Sequence, residues 1–114
     1  MARILSSDGA VLLDNVTASR AFEKGNARGL LGRDGLDVGE GLLLNDPTGT
    51  IHMFFMRFAI DAVFLTDELR VVKVAHRLRP WRVARARGAR RILEIGAGEA
   101  ARLGIEVGDT LVVG

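Results

Sequence analysis

His52-Met53-Phe54-Phe55-Met56-Arg57-Phe58-Ala59-Ile60-Asp61-Ala62-Val63-Phe64-Leu65 is the stretch on which the fold turns. A run this apolar reads as core, yet it carries an imidazole, a guanidinium and a carboxylate. Burying such groups is costly unless each finds a partner. They therefore satisfy one another or form a site. Within the run, Ile60–Leu65 has the length and composition of a buried strand. Thr66-Asp67-Glu68 then turns the chain into Arg70–Leu78. There Val72, Val74, His76 and Leu78 alternate with Val71, Lys73, Ala75 and Arg77, so the two runs make a hairpin.

Similar signals lie on either side. Ile4-Leu5 and Val11-Leu12-Leu13 flank Ser6-Ser7-Asp8-Gly9, and Asp-Gly between short apolar runs marks a hairpin. A helix is predicted from Ala18 to about Leu31, with Thr17 or Ser19 as N-cap and Ala18, Ala21 and Phe22 on one face. Gly25 and Gly29 weaken it. Leu42-Leu43-Leu44 is a short strand, followed by the turn cluster Asn45–Gly49 and a strand from Thr50 to about Phe55. Arg79–Gly88 reads as a basic loop around Pro80-Trp81, and Arg91–Ile95 as a strand with Leu93 and Ile95 facing one way. Gly98–Leu103 is a helical turn or two, ended by Gly104. Ile105–Val113 closes the chain as a strand broken at Gly108-Asp109. Many short strands with one or two short helices predict a mainly β (α+β) fold, a compact β-sandwich or barrel.

Length and composition bound the rest. The 114 residues fit one domain, 1–114. No segment reaches the roughly 18–20 apolar residues of a membrane helix, so no membrane partner is expected. The start lacks the apolar region of a secretory signal, and a cytoplasmic location is expected. The absence of cysteine excludes disulfides, thiolate zinc sites and a thiol nucleophile. Net charge is only +2, but Arg77, Arg79, Arg82, Arg85, Arg87, Arg90 and Arg91 follow one another with no acid between them. Such a stripe attracts phosphates or acidic partners even on a nearly neutral protein.

The polar residues of the opening run divide between structure and chemistry. On one straight strand Arg57 and Asp61 would sit about 13 Å apart. A bend at Phe58-Ala59-Ile60 would bring them together as a clasp, the favoured reading for Asp61. Arg57 is as well suited to a bound carboxylate or phosphate. His52 has the chemistry of a general base, a metal ligand or a backbone-bonded histidine. A His52, His76 and Asp61 metal site has no characteristic spacing behind it, so no metal and no cofactor are assigned. His76 is predicted to be a core histidine. Gly96-Ala97-Gly98-Glu99-Ala100-Ala101 matches a dinucleotide fingerprint in form only. The acid needed about 20 residues later would lie past Gly114.

Four pieces carry a family resemblance: Arg28-Gly29-Leu30-Leu31-Gly32-Arg33, Gly41-Leu42-Leu43-Leu44, His52–Leu65, and Gly96–Asp109. In this order and spacing the chain resembles the small domain called DUF192, or UPF0127. It departs from the usual pattern at Ala59, where proline often stands, and at Ile95-Gly96, where a Leu-Pro pair is common. The resemblance implies a mainly β fold and supplies no activity.

Three functions are compatible with these residues. The first is a small binding module whose polar pocket, built from His52, Arg57 and Asp61 with Arg28 and Arg33, takes a small anion or an acidic protein segment. The second is a hydrolase-like enzyme using His52 as general base. The third is a weak nucleic-acid or acidic-partner binder using Arg79, Trp81, Arg82, Arg85 and Arg87. Nucleic acid is not the expected partner, because the phenylalanines sit mostly in apolar runs, which leaves few platforms for stacking.

Overall fold

Ile60–Leu65 forms a strand buried at every position, which explains why its sequence is apolar without alternation. The computed structural model describes residues 2–20 and 33–114. In chain order these form β1 (Ala2–Leu5), β2 (Val11–Arg20), β3 (Glu40–Asn45), β4 (Thr50–His52), β5 (Ile60–Leu65), β6 (Val71–Leu78), β7 (Val83–Arg85), β8 (Arg91–Gly96), α1 (Glu99–Leu103) and β9 (Val112–Val113). The fold is mainly β. Seven strands make one curled sheet in the order β6-β5-β8-β3-β2-β1-β9, and β4 pairs with β7 in a separate ribbon. Among the described strands only β2 and β3 run parallel; every other pairing is antiparallel.

Each face of the sheet has its own core. On one, Val63, Leu65, Leu93 and Ile95 pack with Leu13, Leu43 and Ala100 of α1. On the other, Ile60, Ala62, Phe64 and Ile92 pack under Ile51 and Ala84 of the ribbon and under Met53, Met56 and Phe58. The two rims of the sheet are drawn together beyond the strands. The Val71 N–H donates to the Asp109 carbonyl and the Leu111 N–H to the Leu69 carbonyl, beside an Arg70–Thr110 bridge.

The first hairpin forms as the sequence predicts, with Gly9 left-handed at φ 92° and its N–H on the Ser6 carbonyl. The β5–β6 hairpin also forms, but its alternation fails. Ile60 opposes Leu78 whereas Ala62 opposes Ala75, so β6 carries one extra residue opposite Asp61. Such a bulge re-aims the side chains around it. His76 is consequently exposed rather than in the core. The helix predicted from Ala18 is corrected at its start: Ala18, Ser19 and Arg20 continue β2, held by parallel pairing to Leu43, Leu44 and Asn45. Its remainder, 21–31, lies outside the described residues. Strand character after Thr50 ends at His52, the basic loop contains β7, and only Val112–Val113 of the last predicted strand are strand.

Candidate functional site

Asp61 is fully buried on the α1 side of β5. Its carboxylate accepts hydrogen bonds from three main-chain N–H groups: Arg77 at 2.8 Å, Gly98 at 3.1 Å and Ala100 at 2.8 Å. The N-cap of α1 is Gly98, at φ 90°, which has no side chain to offer the helix's first N–H groups. Asp61 supplies the missing cap from another strand. The bulge in β6 delivers the third donor, with Arg77 itself at φ 50°. The expected Arg57–Asp61 clasp does not form: Arg57 lies against Asp34, and the partners of Asp61 are backbone N–H groups. Asp61 ties a strand, a bulge and a helix start together through the backbone.

The predicted anion pocket is dispersed. Arg57 is 65% exposed and lies 3.6 Å from Asp34, itself almost entirely exposed. Arg33 makes a two-toothed ion pair with Glu40, both bonds 2.8 Å, and this bond holds the Glu40 carboxyl below its usual range. Arg28 lies outside the described residues. His52 is exposed at the end of β4, its ring stacked on Phe54 with centroids 4.8 Å apart. Among the described residues, no three histidine, aspartate or glutamate side chains gather as a metal site.

A different cluster gathers around His52. The Trp81 N–H donates to the Met53 carbonyl and the Met53 N–H to the Arg82 carbonyl, so the turn after β4 is laced to the turn before β7. At this tip Phe55 packs edge-on against Trp81 at 4.8 Å, and Phe54 lies 6.1 Å from the same ring. Phe55 is 71% exposed and Trp81 58%, and Val83 extends the patch. Both Phe55 (φ 65°) and Trp81 (φ 70°) have left-handed backbones, an unfavourable state for bulky residues. The lacing of the two turns holds them there. Arg79 and Arg82 are exposed on the same turn, and Arg85 and Arg87 lie exposed further along.

Glu94 escaped the reading of the sequence. It lies on β8 between Ala62 of β5 and Leu42 of β3, on the face opposite Asp61. It is almost fully buried, and burial alone pushes its carboxyl up to about 7. The signal was present: Ile92-Leu93-Glu94-Ile95 is an apolar strand interrupted by one acid. Phe54 and Phe55 were missed for the converse reason, because nothing in an apolar run shows which residues a turn will expel.

A curled, mainly β domain with a capping carboxylate under one helix and an aromatic tip on its ribbon defines the class of protein. The chain belongs to the DUF192 family, described as uncharacterized ACR, whose model matches residues 5–113. It is 44% identical to a UPF0127 protein of Pyrococcus abyssi over 61 residues, 53% of this chain and 51% of that one. It is 41% identical to a UPF0127 protein of Thermococcus sibiricus over 63 residues, 54% of this chain and 40% of the relative. The chain thus spans about half the length, or less, of the curated relatives it matches.

Among solved structures, a protein of unknown function from Novosphingobium aromaticivorans has a TM-score of 0.80 at 27% identity, over 97% of this chain and 82% of that one. A putative transcription regulator from Sinorhizobium meliloti has a TM-score of 0.81 at 20% identity, over 98% and 91%, a likeness of fold alone. Among the described residues, no helix is long and apolar enough to cross a membrane.

Proposed function

We propose that this chain is a non-catalytic binding domain whose recognition surface is the aromatic tip, and that its ligand is an acidic protein segment with interspersed apolar side chains. The observation that carries this reading is the pair Phe55 and Trp81, exposed and held in left-handed backbone by the lacing of their turns. Exposed apolar clusters of this kind mark interaction sites. Arg79 and Arg82, exposed on the turn that carries Trp81, give the rim a charge that complements acidic groups.

The rings favour a peptide over bases. His52 stacks on Phe54, and Phe55 abuts Trp81 edge-on, so the rings adjoin as one apolar knob rather than as spaced stacking platforms. The general-base reading of His52 has less support, since the partner of its ring is Phe54 and not an orienting carboxylate.

Trp81 is the sole tryptophan, so its emission reports on this surface. Titration with a Glu/Leu-rich peptide is expected to give a saturable change, absent with a Lys/Leu peptide. Phe55→Ala, which removes a contact at the interface centre, and Arg82→Glu, which reverses a charge on its rim, should each weaken it about tenfold, without lowering the melting temperature. No saturable response, or tighter binding of a single-stranded oligonucleotide at the same rings, would overturn the reading.

A further inference from the structure

We propose a second site, distinct from the aromatic tip: the cleft between the turns at Asp46–Gly49 and Ala86–Ala89, which the structure assigns to a small phosphate-bearing ligand. Its volume is about 540 Å³, and it is lined by Pro47, Thr48 and the segment Arg85–Arg90. That is the size of a small-molecule site.

The two turns are built against each other. Gly49 sits at φ 63°, and a Cβ there would lie 2.7 Å from the Ala86 carbonyl oxygen and 2.8 Å from that of Ala89. The Ala86 N–H donates to the Gly49 carbonyl, and the Asp46 N–H to the Arg90 carbonyl. Only glycine allows this approach. The cleft is therefore a fixed feature of the backbone rather than a gap between side chains.

Its chemistry is that of an anion receptor. Three arginines, Arg85, Arg87 and Arg90, are among the residues that line it, and no acidic residue is. Arg90 engages Asp67 through Nε at 3.2 Å, an exposed pairing that leaves the end of its fork for a ligand. Arg85 and Arg87 make no ion pair among the described residues. The buried Asp46 turns one carboxylate oxygen, Oδ1, back onto its own turn, where it accepts from the Thr48 N–H at 2.9 Å and hydroxyl at 2.6 Å.

At the tip of the second turn Gly88 is left-handed at φ 84°, and a Cβ there would meet nothing within 4 Å. The N–H groups of Arg87 and Gly88 take part in no main-chain hydrogen bond among the described residues. Consecutive free N–H groups beside a left-handed glycine are suited to anion binding. Three forks and two N–H groups exceed what one carboxylate can accept, whereas they match the several oxygens of a phosphate or pyrophosphate. Pro47, Ala86 and Ala89 give the cleft an apolar wall for the rest of the molecule.

The test is titration of the full chain with inorganic pyrophosphate at low ionic strength, followed by amide NMR. Saturable shifts are expected at Arg87 and Gly88, with the Trp81 indole unmoved. The double variant Arg85→Ala/Arg87→Ala, which alters exposed side chains only, should weaken binding at least about tenfold, as expected for lost charge-assisted bonds.

Absence of saturable shifts, or unchanged affinity in the double variant, would overturn the proposal. So would a single-stranded oligonucleotide that saturates these amides at far lower concentration, which would replace a small ligand by a polymer. The Glu/Leu peptide serves as the cross-check. A failed peptide response at Trp81 leaves the cleft untouched, and a silent cleft leaves the tip untouched.

Discussion

Asp61 and Glu94 lie on neighbouring strands, one register position apart, since Asp61 opposes Ile95 and Ala62 opposes Glu94. Their side chains leave opposite faces of the same sheet, and both are buried. One is met by three N–H groups. The other accepts no hydrogen bond among the described residues, and burial raises its carboxyl. The difference shows that burial does not by itself decide whether a carboxylate stabilises a fold; the donors brought to it decide. Asp61 organises three pieces of chain, whereas Glu94 is a liability that grows as it ionises.

The largest expected effect is on the bonded member. Asp61→Ala leaves three N–H groups without an acceptor and removes the cap of α1. At about 1–3 kcal/mol for each buried orphan, partly offset by water and relaxation, the loss should be about 4 kcal/mol. Chemical denaturation measures it, and a loss under about 1 kcal/mol would remove Asp61 from the centre of the fold.

The buried Glu94 should respond in the opposite direction. The carboxyl of Glu94 titrates near 7 in the folded chain against an ordinary 4.5, so the folded state holds its proton more tightly. Its contribution is full below about pH 4.5 and is lost as pH rises toward and through 7. Glu94→Gln keeps the shape and removes the charge. It should stabilise the protein by up to about 3 kcal/mol at pH 8.5 and change little at pH 5. Thermal melts of both proteins across that range check this, and an equal shift at both pH values would contradict it.

The surface supplies the smallest effect. Glu40 is paired, and the bond to Arg33 outweighs its partial burial; Arg33 itself is more than a third exposed. Its carboxyl is held low by the bond to Arg33, so the stability it adds is present at neutral pH and lost as pH falls below the usual carboxylate range. Because solvent screens the pair, Arg33→Ala should cost under about 1 kcal/mol at pH 7 and less in high salt. A cost comparable to that of Asp61→Ala would erase the distinction between a bonded buried carboxylate and a paired surface one.

Much of the fold was legible in the sequence because its signals are local. Asp8-Gly9 marks the first hairpin, and Gly104, left-handed at φ 71°, ends α1 where expected. The role of Asp61 was half legible. A lone carboxylate in an apolar run announces that donors must come, but these come from 16, 37 and 39 residues away. A rule of neighbours therefore pointed to Arg57. The extra residue in β6 is equally invisible, since alternation reads straight through it, and it is what expels His76. The aromatic tip depends on two left-handed backbones at Phe55 and Trp81, states that their side chains disfavour and only the lacing of the turns enforces.

The strand order carries a consequence for how the chain acquires its shape. β8 lies between β5 and β3 and is the penultimate strand to be synthesised. The hairpins β1–β2 and β5–β6 need only local contacts, but the sheet that joins them waits for Arg91–Gly96 to insert between their halves. Pairings this distant raise contact order and slow folding. On a ribosome, an emerging chain lacking its last quarter would hold two unjoined half-sheets, with β5 and β3 each offering an open edge until β8 arrives.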